Sequence, residues 1–121
     1  MRVMVIVKST ADSETGLMPS PEAWAAMEAF NAELDAAGIT RAMGGLKPSK
    51  LGKRVRFDGN GRTITDGPFA ATNEGIAGFW IWEVKDMAEA LDWVTRCPNP
   101  MPGPSEIEIR PFYEDTDFAD M

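Results

Sequence analysis

The sequence predicts an α+β fold built from two strand-helix-strand halves, with an extra β-hairpin inserted between them. Three observations support this. A β-branched run, VMVIV, opens the chain, a capped amphipathic segment follows from Ser20-Pro21, and the run FWIW is again followed by a capped amphipathic segment and a strand. This order is typical of helices packed on one face of an antiparallel sheet.

The first half begins with residues 3–7, which we expect to form a buried, central strand because their side chains are β-branched and charges lie only outside the run. Residues 9–19 are expected to form a loop. Ser20 is a favoured N-cap and Pro21 fits the first helical position, so a helix begins there and ends near Gly38. Residues 39–46, ITRAMGGL, predict the second strand. The apolar stripe of the helix is expected to face the sheet and comprises Trp24, Met27, Phe30 and Leu34.

The hairpin and the second half follow. KRVRF at 53–57 and RTIT at 62–65 flank a DGNG turn, which predicts a hairpin. Residues 76–84 predict a strand, Asp86 and Glu89 cap a helix that ends at Cys97, and EIEIR at 106–110 predicts a last strand with its isoleucines inward. The result is a ferredoxin-like sandwich over residues 1–113, followed by an acidic tail at 114–121.

The strand FWIW is apolar on both faces, since alternation places Phe79 and Ile81 on one side and Trp80 and Trp82 on the other. Two helices can cover only one face of a four-stranded sheet. We therefore expect the second face to be buried in a twofold homodimer, with Trp80 and Trp82 at the interface. The alternative is that the hairpin and the tail fold over that face.

The composition of the chain excludes several classes of binding partner. The chain has 19 acidic and 12 basic residues, a net charge of −7, and no basic block, so we expect neither nucleic acid nor an anionic membrane to bind it. No long apolar run or secretory signal is seen, and the single Cys97 suits a reducing compartment, so a cytoplasmic location is expected. The absence of histidine predicts no metal site, and no cofactor is expected. Cys97 is expected to be a packing residue, although Arg96 beside it would favour the thiolate.

The segment TDGPFAATNEG, residues 65–75, is the main candidate for a functional site. Asp66 lacks the usual partner of a turn aspartate, because the residue two positions on is Pro68, which has no N–H. It must bond Phe69 or a later residue, a basic side chain, or a ligand. Gly67 is expected to allow a positive φ, and Phe69 to anchor the bend in the core.

Thr72 and Glu74 follow closely enough to crowd Asp66, and two neighbouring carboxylates can raise the pKa of one toward that of a general base. The simpler interpretation is that Asp66 only braces the loop. Basic residues of the middle strands, Arg41 and Lys47 with Arg54 and Arg56, predict either an anion site or a solvated face.

TDGPFAATNEG resembles the DGPFAETKE signature of the YCII-related, or DGPF-domain, proteins of bacteria, and similarity covers nearly the whole chain. Supporting segments are SETGLMPSPE, GGLKPS, IAGFWIWEV and RCPNP followed by EIEIRP. The resemblance implies a ferredoxin-like fold in the dimeric α/β-barrel group. Members of this family are mostly proteins of undetermined activity, and some lie beside or are fused to extracytoplasmic-type sigma factors. The resemblance therefore implies a sigma-factor system as a partner.

Departures from the signature bear on mechanism. Ala71 and Asn73 replace an acid and a base, Gly44 stands where a glutamate is common, and Lys47 where a histidine is frequent. The His-Asp proton-transfer chemistry thought to operate in the wider group is excluded, because the chain has no histidine. The signature residues retained are Asp66, Gly67, Pro68, Phe69, Thr72 and Glu74, with Glu14 and Gly16 in the first loop.

Two functions follow from these observations. The first is a noncatalytic dimeric ligand-binding or regulatory module, in which the cleft between helix and sheet near Asp66 accepts a small molecule or the dimer meets a partner protein. The second is a cofactor-independent enzyme in which Asp66 and Glu74 move a proton on a small organic substrate, in an apolar pocket lined by tryptophan. The lost proton-transfer groups favour the first. Its expected ligand contacts are Asp66, Gly67, Pro68, Phe69, Thr72, Arg41 and Lys47.

Overall fold

The computed structural model describes residues 1–70 and 74–119. No helix in these two ranges is long and apolar enough to cross a membrane. The strands are β1 Arg2–Lys8, β2 Thr40–Gly45, β3 Lys53–Asp58, β4 Gly61–Asp66, β5 Ile76–Glu83 and β6 Ile107–Pro111. The α-helices are α1 Ala11–Glu14, α2 Pro21–Ala36 and α3 Met87–Arg96, and single 3-10 turns cover Ser49–Leu51 and Asp115–Phe118.

The main sheet has four strands in the order β2-β5-β1-β6, and every neighbouring pair is antiparallel. This confirms the predicted α+β class and is the strand order of a ferredoxin-like fold, with β1 inside the sheet as expected. Strands β3 and β4 form a separate two-stranded hairpin between β2 and β5.

The predicted helix caps are present. Ser20 Oγ accepts the Ala23 N–H at 3.1 Å, and Pro21 occupies the first position of α2. Asp86 Oδ1 accepts the Glu89 N–H at 2.9 Å at the start of α3. These bonds satisfy backbone donors that the first turn of a helix leaves unpaired, which is why both helices begin where the sequence predicts.

The region expected to be a loop contains the short helix α1. Thr10 Oγ1 accepts the Ser13 N–H at 3.3 Å, while Ser13 Oγ accepts the Thr10 N–H at 2.9 Å. This reciprocal capping box stabilises a single helical turn that carries no buried residue. Without an apolar stripe, its sequence offers no helical periodicity.

The core lies between α2 and the sheet. Phe30 packs edge-on against Trp80 at a ring-centroid distance of 6.1 Å, and Leu34 is fully buried. Trp80 and Trp82 are 5% and 0% exposed within a single chain. The expectation that these two tryptophans form the dimer interface is therefore wrong, because they lie on the face that the helices cover.

The open face of the sheet carries the opposite set of side chains. Met4 pairs with Ile81, and Ile6 with Phe79, across β1 and β5. All four are partly exposed. Thus an apolar strip remains on the side of the sheet away from α2.

The hairpin does not cover this strip. Every residue of β3 and β4 is exposed, so the alternative in which the hairpin folds over the open face is not what the structure shows. In the tail, Tyr113 packs against Phe118 at a centroid distance of 5.2 Å, and both rings remain exposed.

Candidate functional site

The DGPF bend follows directly from the end of β4 and rests on the 3-10 turn Ser49–Leu51. The Gly67 N–H donates to the Gly52 carbonyl at 2.9 Å, and the Phe69 N–H donates to Ser49 Oγ at 3.1 Å. The bend is therefore held by backbone donors from both sides of Pro68. Its position relative to the sheet is set by a turn that lies some twenty residues earlier in the chain.

Glycine is required at position 67 for space. Gly67 is not among the glycines with positive φ, so the expectation of a left-handed conformation is wrong. A Cβ at this position would lie 1.8 Å from the Ser49 carbonyl oxygen. The two backbones approach so closely that any side chain would displace one of them.

Glu14 connects α1 to the same turn. The Ser49 hydroxyl donates to Glu14 Oε2 at 2.5 Å, and the Ser49 N–H lies 3.3 Å from each Glu14 carboxylate oxygen. Ser49 thus accepts from the bend and donates to the helix. Sequence reasoning noted Glu14 only as a retained signature residue and did not identify Ser49. The sequence did carry a signal for this contact, because SETG, KPS and DGPF are all among the segments that resemble the family.

Asp66 has a basic side chain as its partner. Lys53 Nζ lies 2.5 Å from Asp66 Oδ1, and the two residues are direct cross-strand neighbours at the base of the hairpin. Their side chains are 66% and 71% exposed. An ion pair this open to water contributes little to stability, so its main effect is to fix the carboxylate beside β3.

The other predicted site residues lie apart. Arg41 donates to the Gly38 carbonyl at 2.8 Å at the end of α2, while Lys47 is exposed beyond β2. Glu74 is exposed, and Thr72 lies outside the described residues. The structure therefore gives Asp66 a basic partner, Lys53, that the predicted set did not include. Of the predicted basic residues, Arg54 lies over the Phe69 ring of the bend at 3.9 Å, whereas Arg41 bonds Gly38 instead. The catalytic roles of Asp66 and Glu74 stay predictions.

A cavity of about 440 Å³ lies between α2, the β2 and β5 strands and the connector before β6. It lies between helix and sheet and two tryptophans line it, whereas the sequence analysis expects the cleft near Asp66. The described lining residues do not include Asp66. They are Val7, Trp24, Met27, Glu28, Asn31, Met43, Gly44, Gly45, Ala77, Gly78, Phe79, Trp80, Pro100 and Met101.

Two tryptophan–polar pairs order one wall of this cavity. Trp80 Nε1 donates to Asn31 Oδ1 at 2.9 Å, and Trp24 Nε1 donates to the Glu28 carboxylate. Both acceptors project from α2. The wall therefore presents aromatic rings whose N–H groups are already bonded, together with the carboxylate and the amide that hold them.

A smaller cavity of about 320 Å³ lies against α1 and the start of α2, and shares Pro100 and Met101 with the larger one. Thr10 Oγ1 donates to Met101 Sδ at 3.5 Å. The capped turn of α1 thus contacts the cavity wall through Thr10 and the DGPF bend through Glu14.

Cys97 has the packing role expected of it. Burial raises the pKa of the thiol to about 11, and its Sγ donates to the Pro98 carbonyl at 3.2 Å. The Arg96 guanidinium lies over the Trp93 ring at 4.2 Å. The thiolate is thus disfavoured, as desolvation requires.

The strand order and the docked bend define a small ferredoxin-like α+β protein with a hairpin fixed at its base. The chain belongs to the YCII-related family, because the model of the YCII-related domain matches residues 1–113. It is also similar to an uncharacterized protein of Rhizobium meliloti (strain 1021), with 31% identity over 75 residues, which cover 62% of this chain and 60% of that relative. The alignment thus spans less than two thirds of the relative's length. The resemblance inferred from the DGPF segment is confirmed.

Proposed function

We propose that this protein binds a small, mainly apolar molecule in the cavity between α2 and the sheet. The observation that carries the proposal is the cavity itself, which has a volume of about 440 Å³ and tryptophan rings in its wall. Ligand sites are commonly apolar clefts of about 300–1,000 Å³ with a few fixed polar groups. Glu28 and Asn31 supply such groups here.

Charge limits the ligand class to neutral or cationic molecules. Glu28 is the charged residue among the described residues of the cavity wall, and no base accompanies it. The whole chain has a net charge of −7. An anion would be repelled by the Glu28 carboxylate and by the net negative charge of the chain. A cation would be attracted by the carboxylate and by the faces of Trp24 and Trp80.

Two matched dyes test this proposal. The neutral dye N-phenylnaphthylamine should gain fluorescence when it enters the cavity, and its sulfonated counterpart anilinonaphthalenesulfonate should bind at least about tenfold more weakly because it is an anion. Equal binding of the two dyes, or binding of neither, would contradict the proposal. The variant Glu28→Gln should reduce the difference in affinity between the neutral and the anionic dye.

A bulky variant locates the binding. Met43 is about half exposed at the cavity, so Met43→Trp adds volume there with little risk to the fold. Leu91→Trp on α3 is the matched control, since Leu91 is equally exposed and does not line this cavity. The first variant should weaken N-phenylnaphthylamine binding and the second should leave it unchanged.

We also propose that the protein is a homodimer joined through the open face of the sheet. The partly exposed strip of Met4, Ile6, Phe79 and Ile81 supports this, because exposed contiguous apolar strips are disfavoured in monomers. The variant Ile81→Glu should convert a dimer to a monomer in analytical ultracentrifugation, and Leu91→Glu should not. A wild-type protein that is monomeric at high micromolar concentration would refute the homodimer.

A further inference from the structure

We propose that the β3–β4 hairpin is a dimerisation arm whose apolar face docks on a second copy of this chain. The inference rests on the homodimer proposed above and adds a second contact to it. It starts from the side chains that the hairpin presents to solvent.

One face of the hairpin is apolar and exposed. Val55 pairs with Ile64, and Phe57 pairs with Arg62, so these side chains share a face. Val55 is 48% exposed, Ile64 67% and Phe57 69%. Among the described residues, the Arg62 guanidinium lies over the Phe57 ring at 4.5 Å, while all three apolar side chains remain largely exposed. A two-stranded hairpin with so open an apolar face is marginally stable and prone to association, so this face needs a cover.

The base of the arm is closed by contacts between its two flanks, and Ser49 links it to Glu14 of α1. The Gly67 N–H donates to the Gly52 carbonyl at 2.9 Å across the base, and the Arg54 guanidinium lies 3.9 Å from the centroid of the Phe69 ring. Each strand has six residues, which at ~3.3 Å per residue extends the arm by about 20 Å. The DGPF bend therefore sets the direction of an arm long enough to reach across a neighbouring molecule.

Charge complementarity favours a second copy as the occupant. Residues 53–66 carry four basic and two acidic side chains, a net charge of +2, so the rest of the chain carries −9 within the total of −7. A basic arm and an acidic body are complementary between two identical chains. A nucleic acid would instead be repelled by the body and would leave Val55, Phe57 and Ile64 uncovered.

The position of the arm also suits this partner. The hairpin leaves the body after β2, the edge strand of the sheet, and returns to β5 beside it. It thus joins the body at the end of the sheet where β2 ends and β5 begins. In the proposed dimer each basic arm contacts the acidic body of the other protomer.

The test compares the wild type and two double variants by sedimentation over a wide concentration range. Phe57→Ser/Ile64→Ser should raise the dimer dissociation constant by about tenfold or more, as expected for loss of buried apolar anchors. Leu91→Ser/Leu17→Ser removes two exposed leucines elsewhere and should leave it unchanged. High salt should weaken the wild-type dimer, because the arm is basic.

Hydrogen exchange provides the second readout. Amides of the hairpin should become protected as the wild-type protein dimerises, and this protection should be lost in the double variant. Protection that is independent of concentration would mean that the arm folds on its own chain, and would overturn the proposal. A dimer that is disrupted by Ile81→Glu but unaffected by Phe57→Ser/Ile64→Ser would refute the arm alone, whereas a wild-type monomer would refute the homodimer as well.

Discussion

Gly67 and Ser49 approach each other so closely that a Cβ on Gly67 would lie 1.8 Å from the Ser49 carbonyl oxygen. This contact joins the end of the hairpin to the turn that follows β2. It explains the glycine of the DGPF motif by steric exclusion. The same turn holds Glu14 and Phe69, so changes at Gly67 should spread to both.

Gly67→Ala should destabilise the protein by about 1–3 kcal/mol, since the methyl group forces a backbone shift in a packed region. Chemical denaturation measures this difference. Gly45→Ala is the control, because a Cβ there meets nothing within 4 Å and should change stability by less than about 0.5 kcal/mol. Equal effects of the two substitutions would show that the close approach is absent.

Ser49→Ala should release the DGPF bend from α1. The change removes the acceptor of the Phe69 N–H and the hydroxyl donor to Glu14, while the backbone N–H of residue 49 still faces Glu14, with an expected loss of about 1–3 kcal/mol. The Phe69 amide should exchange its hydrogen faster. Thr95→Ala, which removes an exposed helical hydroxyl, should leave that amide unaffected. Unchanged exchange at Phe69 in Ser49→Ala would contradict the proposed linkage.

Thr40→Val should maintain or increase stability. In the described part of the chain, Thr40 Oγ1 and Trp82 Nε1 are buried side-chain atoms without a hydrogen-bond partner, and the two residues are cross-strand neighbours. A buried, unpaired polar group costs about 1–3 kcal/mol, which an isosteric apolar side chain avoids. Thermal unfolding measures the result, and a clear loss of stability would indicate that the hydroxyl has a bonded water or another partner.

The Cys97 thiol should react slowly with dithiobisnitrobenzoate at about pH 8, because burial raises its pKa to about 11. An unfolded cysteine has a pKa near 8.5. Below that value both states are protonated and the contribution to stability is complete. As the pH rises toward 11, the unfolded state ionises first, so stability falls. The difference in free energy of unfolding between wild type and Cys97→Ser should show this fall with pH. Rapid labelling of the native protein would contradict the raised pKa of Cys97.

Much of the fold could be predicted from local sequence. Capping residues such as Ser20 and Asp86, and the DGNG turn, act over a few positions and identify helix starts and the hairpin directly. The face assignment of β5 could not be predicted, because Phe79 and Trp80 are both apolar and alternation does not show which side the helices cover. That choice depends on Phe30 and Leu34, which are distant in sequence.

The candidate site shows the same division. Sequence reasoning identified the DGPF bend, and it allowed a basic partner for Asp66, which is Lys53. It could not identify Ser49, because a serine in a polar turn carries no distinctive pattern. Nor could it show that the tryptophan-lined cavity lies apart from the bend. The cavity forms because the packing of α2 brings Trp24 and Asn31 to Trp80.

The nitrogen–proton correlation spectrum of the indole groups, recorded as N-phenylnaphthylamine is added, tests the central claim most directly. The chain has four tryptophans. Trp24 and Trp80 line the cavity, whereas Trp93 does not. We predict that the indole resonances of Trp24 and Trp80 shift in a saturable manner while that of Trp93 stays in place. A shift of Trp93 alone, or no shift of Trp24 and Trp80, would contradict ligand binding in the cavity between α2 and the sheet.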